Sequence, residues 1–274
     1  MEMRSTATTA ARHALKAGGR AWDLLRPAPA GVTILIFHRV GAGAGGQMDL
    51  SPAVFDEQLR WLRATQRVVS LDDAATELSR GGPVTSGVVI TFDDGTTDWV
   101  DHVLPALDRH DVPATFYVAT DFVDRQVPFP GDGAPISWNG LRELTSSPLV
   151  TIGSHTHRHL LLDRLPPGEI DEELDRSVEL LGDRLEIDPV HFAYPKAVAG
   201  SASADAAVRA RFRTAVLAGT RPNPALSDLH RLARSPVQAS DSPRWFRAKA
   251  TGGLRLEDDL RRTANRLRYR HATR

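Results

Sequence analysis

The chain has 274 residues, 41% hydrophobic and 25% charged, a balance normal for a protein that buries a substantial core, which excludes disorder throughout. Its 34 Lys plus Arg are matched by 34 Asp plus Glu, so no global positive field marks nucleic acid as a partner. There is no cysteine, which removes disulfides, thiolate metal sites and cysteine nucleophiles and leaves His, Asp and Glu as the metal-capable side chains.

Residues 1–30 carry Arg4, Arg12, Lys16 and Arg20 but lack the apolar run of about 7 to 15 residues that a secretory leader requires. They are expected to form a basic helical extension of a cytoplasmic protein. No stretch approaches the roughly 20 apolar residues of a membrane-spanning helix. From Gly31 onward, short apolar runs alternate with helical patterns, as in a mostly parallel sheet covered by helices. GVTILIF, ending at Phe37, reads as the first strand, and His38 follows it. Residues 51–65 open with Ser then Pro, a cap followed by the favoured first helical position, and place Phe55, Leu59 and Leu62 on one face, which predicts a helix. VVITF is a strand that runs into Asp93, Asp94 and Gly95; ATFYVAT is the next. Residues 127–139, with three prolines and two glycines, read as a long loop. LVTIGS is a strand followed by His155, His157 and His159. Ile170, Leu174, Val178, Leu181 and Leu185 recur at helical spacing with carboxylates between them, predicting a helix whose acidic residues face solvent. HFAY is a strand that ends at Tyr194, followed by Pro195 and Lys196, and residues 222–228 read as a second loop. One domain is expected over 31–253, followed by an arginine-rich helix or tail at 254–274. The basic ends suit a solvated helix or weak peripheral contact with an anionic membrane, where each basic residue gains about 1 kcal/mol.

Polar, metal-capable residues follow four of these strands, and parallel strands would bring them to one rim, where barrel and open-sheet enzymes build active sites. Asp93 and Asp94 are adjacent carboxylates, which repel unless a cation lies between them or one holds a proton; taken alone, one of them also suits a cap for the helix near Asp98. His155 and His159 share a face in a helical turn, whereas all three histidines share one if the segment stays extended. Two imidazoles and one carboxylate make a three-ligand site with an open position, the pattern of catalytic zinc. A surface histidine cluster is the plain alternative. His38 by itself suits an ordinary rim histidine; its place on the same rim and its capacity to exchange a proton near neutral pH favour a role.

TFDDG at 91–95 with HTHRH at 155–159 resembles the polysaccharide deacetylase family, also called the NodB-homology or carbohydrate esterase 4 family, over roughly residues 31–250. The resemblance implies an α/β fold, a distorted (β/α) barrel of about seven strands. It makes Asp93 the general base, and Asp94, His155 and His159 the ligands of a divalent metal, most commonly Zn2+, with Co2+, Ni2+, Fe2+ or Mn2+ as alternatives. His157 is then a neighbour and not a ligand. ILIFHRV resembles the early element of the branch that deacetylates poly-β-1,6-N-acetylglucosamine, in which motif order is permuted, so His38 inherits the role of catalytic acid. FAYPK at 192–196 resembles that branch's FAYPYG, with Lys196 for Tyr and Ala197 for Gly. Tyr194 and Lys196 are thereby assigned to the oxyanion and substrate contacts, the Lys196 N–H serving without need of its side chain. RLARSPVQASDSPRWF resembles a later element of the branch, which gives Arg234 and Asp241 a part in ordering the site.

The reaction so implied is metal-dependent removal of N-acetyl groups from N-acetylhexosamine units of a glycan or glycoconjugate. An acetyl esterase or non-carbohydrate amidase using the same residues, and a degenerate glycan-binding protein, are the competing readings; the complete Asp93, Asp94, His155 and His159 set argues against the last.

Overall fold

The structure is a computed structural model in which residues 28–130 and 133–255 are described. The expectations placed on the two basic ends fall largely outside those residues. Among the described residues no helix is long and apolar enough to cross a membrane.

The elements in chain order are β1 (Val32–Phe37), β2 (Arg39–Val40), β3 (Asp49–Leu50), α1 (Pro52–Thr65), α2 (Leu71–Ser79), β4 (Gly87–Asp94), α3 (Leu104–His110), β5 (Ala114–Val118), α4 (Thr120–Arg125), α5 (Trp138–Thr145), β6 (Val150–Ser154), α6 (Pro167–Leu185), β7 (His191–Ala193), α7 (Ala202–Arg211), β8 (Thr214–Ala218), β9 (Leu232–Pro236) and α8 (Pro243–Ala250). A π-helical turn at Trp99–Val103 leads into α3. β1, β4, β5, β6, β7, β8 and β9 form a closed barrel, parallel at every junction, with β1 against β4 on one side and β9 on the other. All seven C-terminal strand ends therefore meet at one rim, as the alternation of strands and helices implies.

α1 follows the sequence reading closely. The Ser51 hydroxyl accepts the Val54 N–H, Pro52 occupies the first turn, and Phe55, Leu59 and Leu62 are buried. Phe55 meets Phe37 and Phe92 edge-on, and Phe92 stacks on Phe116 at 4.9 Å between ring centres. This aromatic layer fastens the helices to β1, β4 and β5.

Two strands escaped the hydropathy pattern. TAVLA (β8) is short and small-residued, and LARSP (β9) carries Arg234, Ser235 and Pro236, which give no apolar pattern; the barrel interior supplies Arg234 with its partner. The segments read as loops are more ordered than expected. α5 begins at Trp138, capped by Ser137, and the stretch before it is held by backbone bonds from Thr97 N to Ala134 O and from Ile136 N to Gly95 O. In the 222–228 segment, the Asn223 side chain bonds Val32 O and accepts the Ala233 N–H, so it ties β1 to β9 near their N-terminal ends.

α6 requires a correction. It starts three residues before Ile170, Val178 and Leu185 are only partly buried, and its inner face includes Glu173, with 0% of its surface exposed. The acidic run is therefore not wholly solvated, because Glu173 has a partner at the rim.

Candidate active site

Side chains alternate along a strand, so Asp93 and Asp94 should point to opposite faces of β4. Val89 belongs to the buried cluster formed by Val32, Tyr117, Ala193, Val216 and Leu232 from the surrounding strands, which puts Thr91 and Asp93 on that same inner face. Asp94 escapes the alternation because its φ is +88°, a conformation costly for a non-glycine residue and tolerated where the surroundings over-determine it. Gly95 follows at φ +118°.

Arg234 donates to both carboxylate oxygens of Asp93, at 2.6 and 2.7 Å, and to the Thr91 hydroxyl at 3.0 Å. Its guanidinium also lies 5.2 Å from the Tyr117 ring centre. Both partners of the pair are buried. Burial alone would raise the Asp93 pKa; the charge of Arg234, then those of His155 and His38 and the Arg234 hydrogen bonds, outweigh it and hold the carboxyl at about 2.

Asp94, His155 and His159 converge, with one ligand-capable atom from each lying within 4.8 Å of the others. Both His155 Nε2 and His159 Nε2 are 3.8 Å from Asp94 Oδ1. His155 Nδ1 is 2.7 Å from Ala193 O, so it must carry a proton and donate, which turns Nε2 towards the cluster. Burial and the neighbouring His155 lower the His159 pKa to about 4, keeping that ring neutral near pH 7. The segment between them is neither a regular helix nor extended: Thr156 and His159 take φ of +65° and +58°, and the Thr156 hydroxyl accepts the His159 N–H. His157 is turned elsewhere, its Nδ1 3.0 Å from Thr120 Oγ1.

Glu173, grouped with the solvated carboxylates of the helix in the sequence reading, fixes this turn from α6. Its backbone carbonyl accepts the His157 N–H, and its carboxylate accepts the Arg158 N–H at 2.8 Å and Nε at 2.5 Å. Glu173→Ala is expected to lower the unfolding free energy by about 1 to 3 kcal/mol, since it strands two donors that a charged acceptor now satisfies. Denaturant unfolding followed by circular dichroism checks this.

His38 and Lys196 reach the same rim. They line, with Asp93, Asp94, His155 and His159, a cavity of about 580 Å³ whose apolar wall includes Met48 and Phe129. The His38 carbonyl accepts the Trp99 indole N–H at 2.8 Å, and its Nδ1 is buried without a hydrogen-bond partner among the described residues. Lys196 and Ala197 have φ of +52° and +53°, so Ala197 keeps the left-handed backbone that a glycine would adopt freely.

Two of the expected site residues stand apart. Tyr194 packs edge-on against Phe192 among Leu162, Leu174 and Val208, and it does not line the cavity; burial raises its pKa to about 12. Asp241 pairs with the buried Lys249 Nζ at 2.5 Å and accepts the Gln238 N–H at 2.9 Å. Lys249 also donates to Pro236 O, so Asp241 steadies the chain beyond β9. Arg234, by contrast, contacts Asp93 directly.

Fold and site together define a parallel (β/α)-barrel protein with a carboxylate–imidazole cluster at the C-terminal rim. Residues 81–215, just under half of the chain, match the pattern of the polysaccharide deacetylase family. It is 25% identical over 215 residues to YxkH of Bacillus subtilis (strain 168), whose name assigns it to the polysaccharide deacetylases, covering 76% of this chain and 73% of that protein. It is 33% identical over 140 residues to the poly-beta-1,6-N-acetyl-D-glucosamine N-deacetylase of Escherichia coli (strain K12), covering 46% of this chain and 20% of that much longer protein. The fold is shared with the Streptococcus pyogenes deacetylase PplD in complex with acetate, at 22% identity and a TM-score of 0.70 over 81% of this chain and 99% of that one. It is shared equally with IcaB from Ammonifex degensii, at 24% identity and a TM-score of 0.69 over 82% and 98%.

Proposed function

We propose that the protein is a metal-dependent deacetylase that hydrolyses the N-acetyl group of N-acetylhexosamine units in a glycan or glycoconjugate. The carrying observation is the convergence of Asp94, His155 and His159 beside the Arg234-bound Asp93. The donor set fits a divalent cation, Zn2+ before Co2+, Ni2+, Fe2+ or Mn2+: one carboxylate and two imidazoles, one of them oriented by a backbone carbonyl. Asp94, His155 and His159 would hold the ion, which when bound supplies Lewis acidity to the acetyl carbonyl and lowers the pKa of water towards 7.

The remaining steps belong to the protein. Asp93, kept ionised by Arg234, takes the proton from the attacking water. The carbonyl oxygen gains negative charge as the water adds, and the Lys196 backbone N–H is the donor offered to it. The C–N bond breaks only if the departing nitrogen is protonated, and His38 is the group on the cavity wall that delivers this proton.

The test is acetate release from N-acetylglucosamine oligomers and acetyl esters by metal-reconstituted protein, with chelator-treated protein as the blank. Metal-dependent release from the oligomers is expected; metal-bound, folded protein that releases none would refute the reading. His38→Ala is expected to lose about 100-fold in kcat on the oligomers while its metal content, measured by atomic emission, stays at one ion per chain. Ester leaving groups need less acid assistance, so esters should suffer less.

A further inference from the structure

The cavity wall holds two basic side chains that the deacetylation steps do not use, Arg158 and Lys196. Arg158 is held in a particular way. Its Nε and backbone N–H are both bonded to the buried Glu173 carboxylate, while its two terminal nitrogens have no partner among the described residues and its side chain is 40% exposed. A carboxylate wholly buried in the body of the protein thus orients a guanidinium whose remaining N–H groups face outward. Lys196 makes no ion pair among the described residues. Neither carboxylate of the same cavity pairs with Arg158 or Lys196 among the described residues: both oxygens of Asp93 are taken by Arg234, and Asp94 faces the two histidines.

We propose that Arg158 and Lys196 form an anion-binding subsite that selects N-acetylated sugars bearing a carboxylate or a phosphate group. The inference rests on the deacetylase reading and narrows its substrate class. A guanidinium fixed at Nε presents parallel terminal N–H groups that match the two oxygens of a carboxylate or phosphate, and an ammonium adds a point charge from the neighbouring wall. A neutral hexosamine chain would leave both charges unmatched beside the reacting acetyl group. Glu173 acts here as a positioning residue, since its link to the substrate runs through Arg158.

The experiment compares kcat/KM at low salt for three probes: a neutral N-acetylglucosamine oligomer, an oligomer of similar length containing N-acetylmuramic acid, and N-acetylglucosamine 1-phosphate. The wild type is expected to prefer an acidic probe by about tenfold or more, and the preference should shrink as salt rises. Arg158→Gln, and Lys196→Asn, whose side chain tolerates the left-handed φ, should bring the acidic-to-neutral ratio towards one. Because each ratio is read within one protein, loss of fold or metal cancels from it. Preference for the muramic probe alone assigns the subsite to carboxylates, and for the phosphate probe alone to phosphates; either supports the proposal. Equal rates on neutral and acidic probes, or a preference that both variants retain, would overturn it and leave the deacetylase reading standing. No acetate from any probe would overturn both.

Discussion

Arg234→Met is expected to lower kcat/KM by about 100-fold to 10,000-fold and to remove about 3 to 5 kcal/mol of unfolding free energy. Both effects come from Asp93. In the wild type, burial pushes the Asp93 pKa up, and the charge and hydrogen bonds of Arg234, helped by His155 and His38, bring it down to about 2. Without Arg234 the burial is opposed only by the two weaker charges, so the carboxyl rises towards and past its unfolded value and the base spends more of its time protonated. The acid limb of the rate profile should move to higher pH. The sign of the stability effect is fixed by linkage. A carboxyl with a depressed folded pKa contributes stability that is fully present above its unfolded value, near 4, and lost as pH falls through its folded value, near 2. A raised pKa reverses the sign, so the variant gains stability as pH drops. The gap between the two proteins is therefore widest near pH 7 and narrows below pH 4. Urea titrations at pH 7 and pH 3 check this; a gap independent of pH would mean that Arg234 acts through packing on Tyr117 instead. Arg234→Lys should recover part of the activity, since it restores the charge but not the paired bonds to both oxygens.

Much of this site was legible because its chemistry is local in sequence. Asp93 and Asp94 end one apolar strand, His155 and His159 follow another, and the four-residue spacing needs only a turn to bring two imidazoles together. The resemblance named Arg234 as a site-ordering residue, but the strand that carries it and its pairing with Asp93 stayed hidden, because they depend on partners distant in the chain. Arg234 sits in LARSP, which lacks an apolar pattern because its central residue is a cation that the barrel interior neutralises with Asp93, 141 positions away. Glu173 looked like one more carboxylate on a solvated helix face, and only the packing of α6 against the HTHRH turn shows that it faces inward. A charged residue on the apolar side of an amphipathic helix was the available signal: Glu173 adjoins Leu174 and stands three places after Ile170. Tyr194 erred in the opposite direction. Adjacency to Pro195 and Lys196 suggested the rim, but its ring turns outward onto Phe192, because residues next to each other along the chain need not share a face.

Asp94→Asn separates the metal cluster from the rest of the rim. Among the described residues the carboxylate of Asp94 makes no close hydrogen bond; it lies 3.8 Å from each of the two imidazole nitrogens. Asn retains the shape and tolerates the positive φ, so the metal-free variant should unfold within about 0.5 kcal/mol of the metal-free wild type. Metal affinity should fall by more than about 100-fold, the upper range for losing a group that merely orients a ligand. Activity should fall by about 1,000-fold or more, beyond the cost of a single oxyanion donor. Stability then reports binding without reference to turnover. Zinc at about 1,000 times the wild-type dissociation constant would raise the wild-type unfolding free energy by about 4 kcal/mol and that of Asp94→Asn by about 1.4 kcal/mol or less. His157→Ala supplies the contrast, since His157 bonds Thr120 and lies outside the cluster. It should keep the zinc response. If Asp94→Asn also kept it, the cation would be held elsewhere and Asp94 would revert to a turn residue at the end of β4; if His157→Ala alone lost it, the ligand set would have to be redrawn around Thr120 and Asp121.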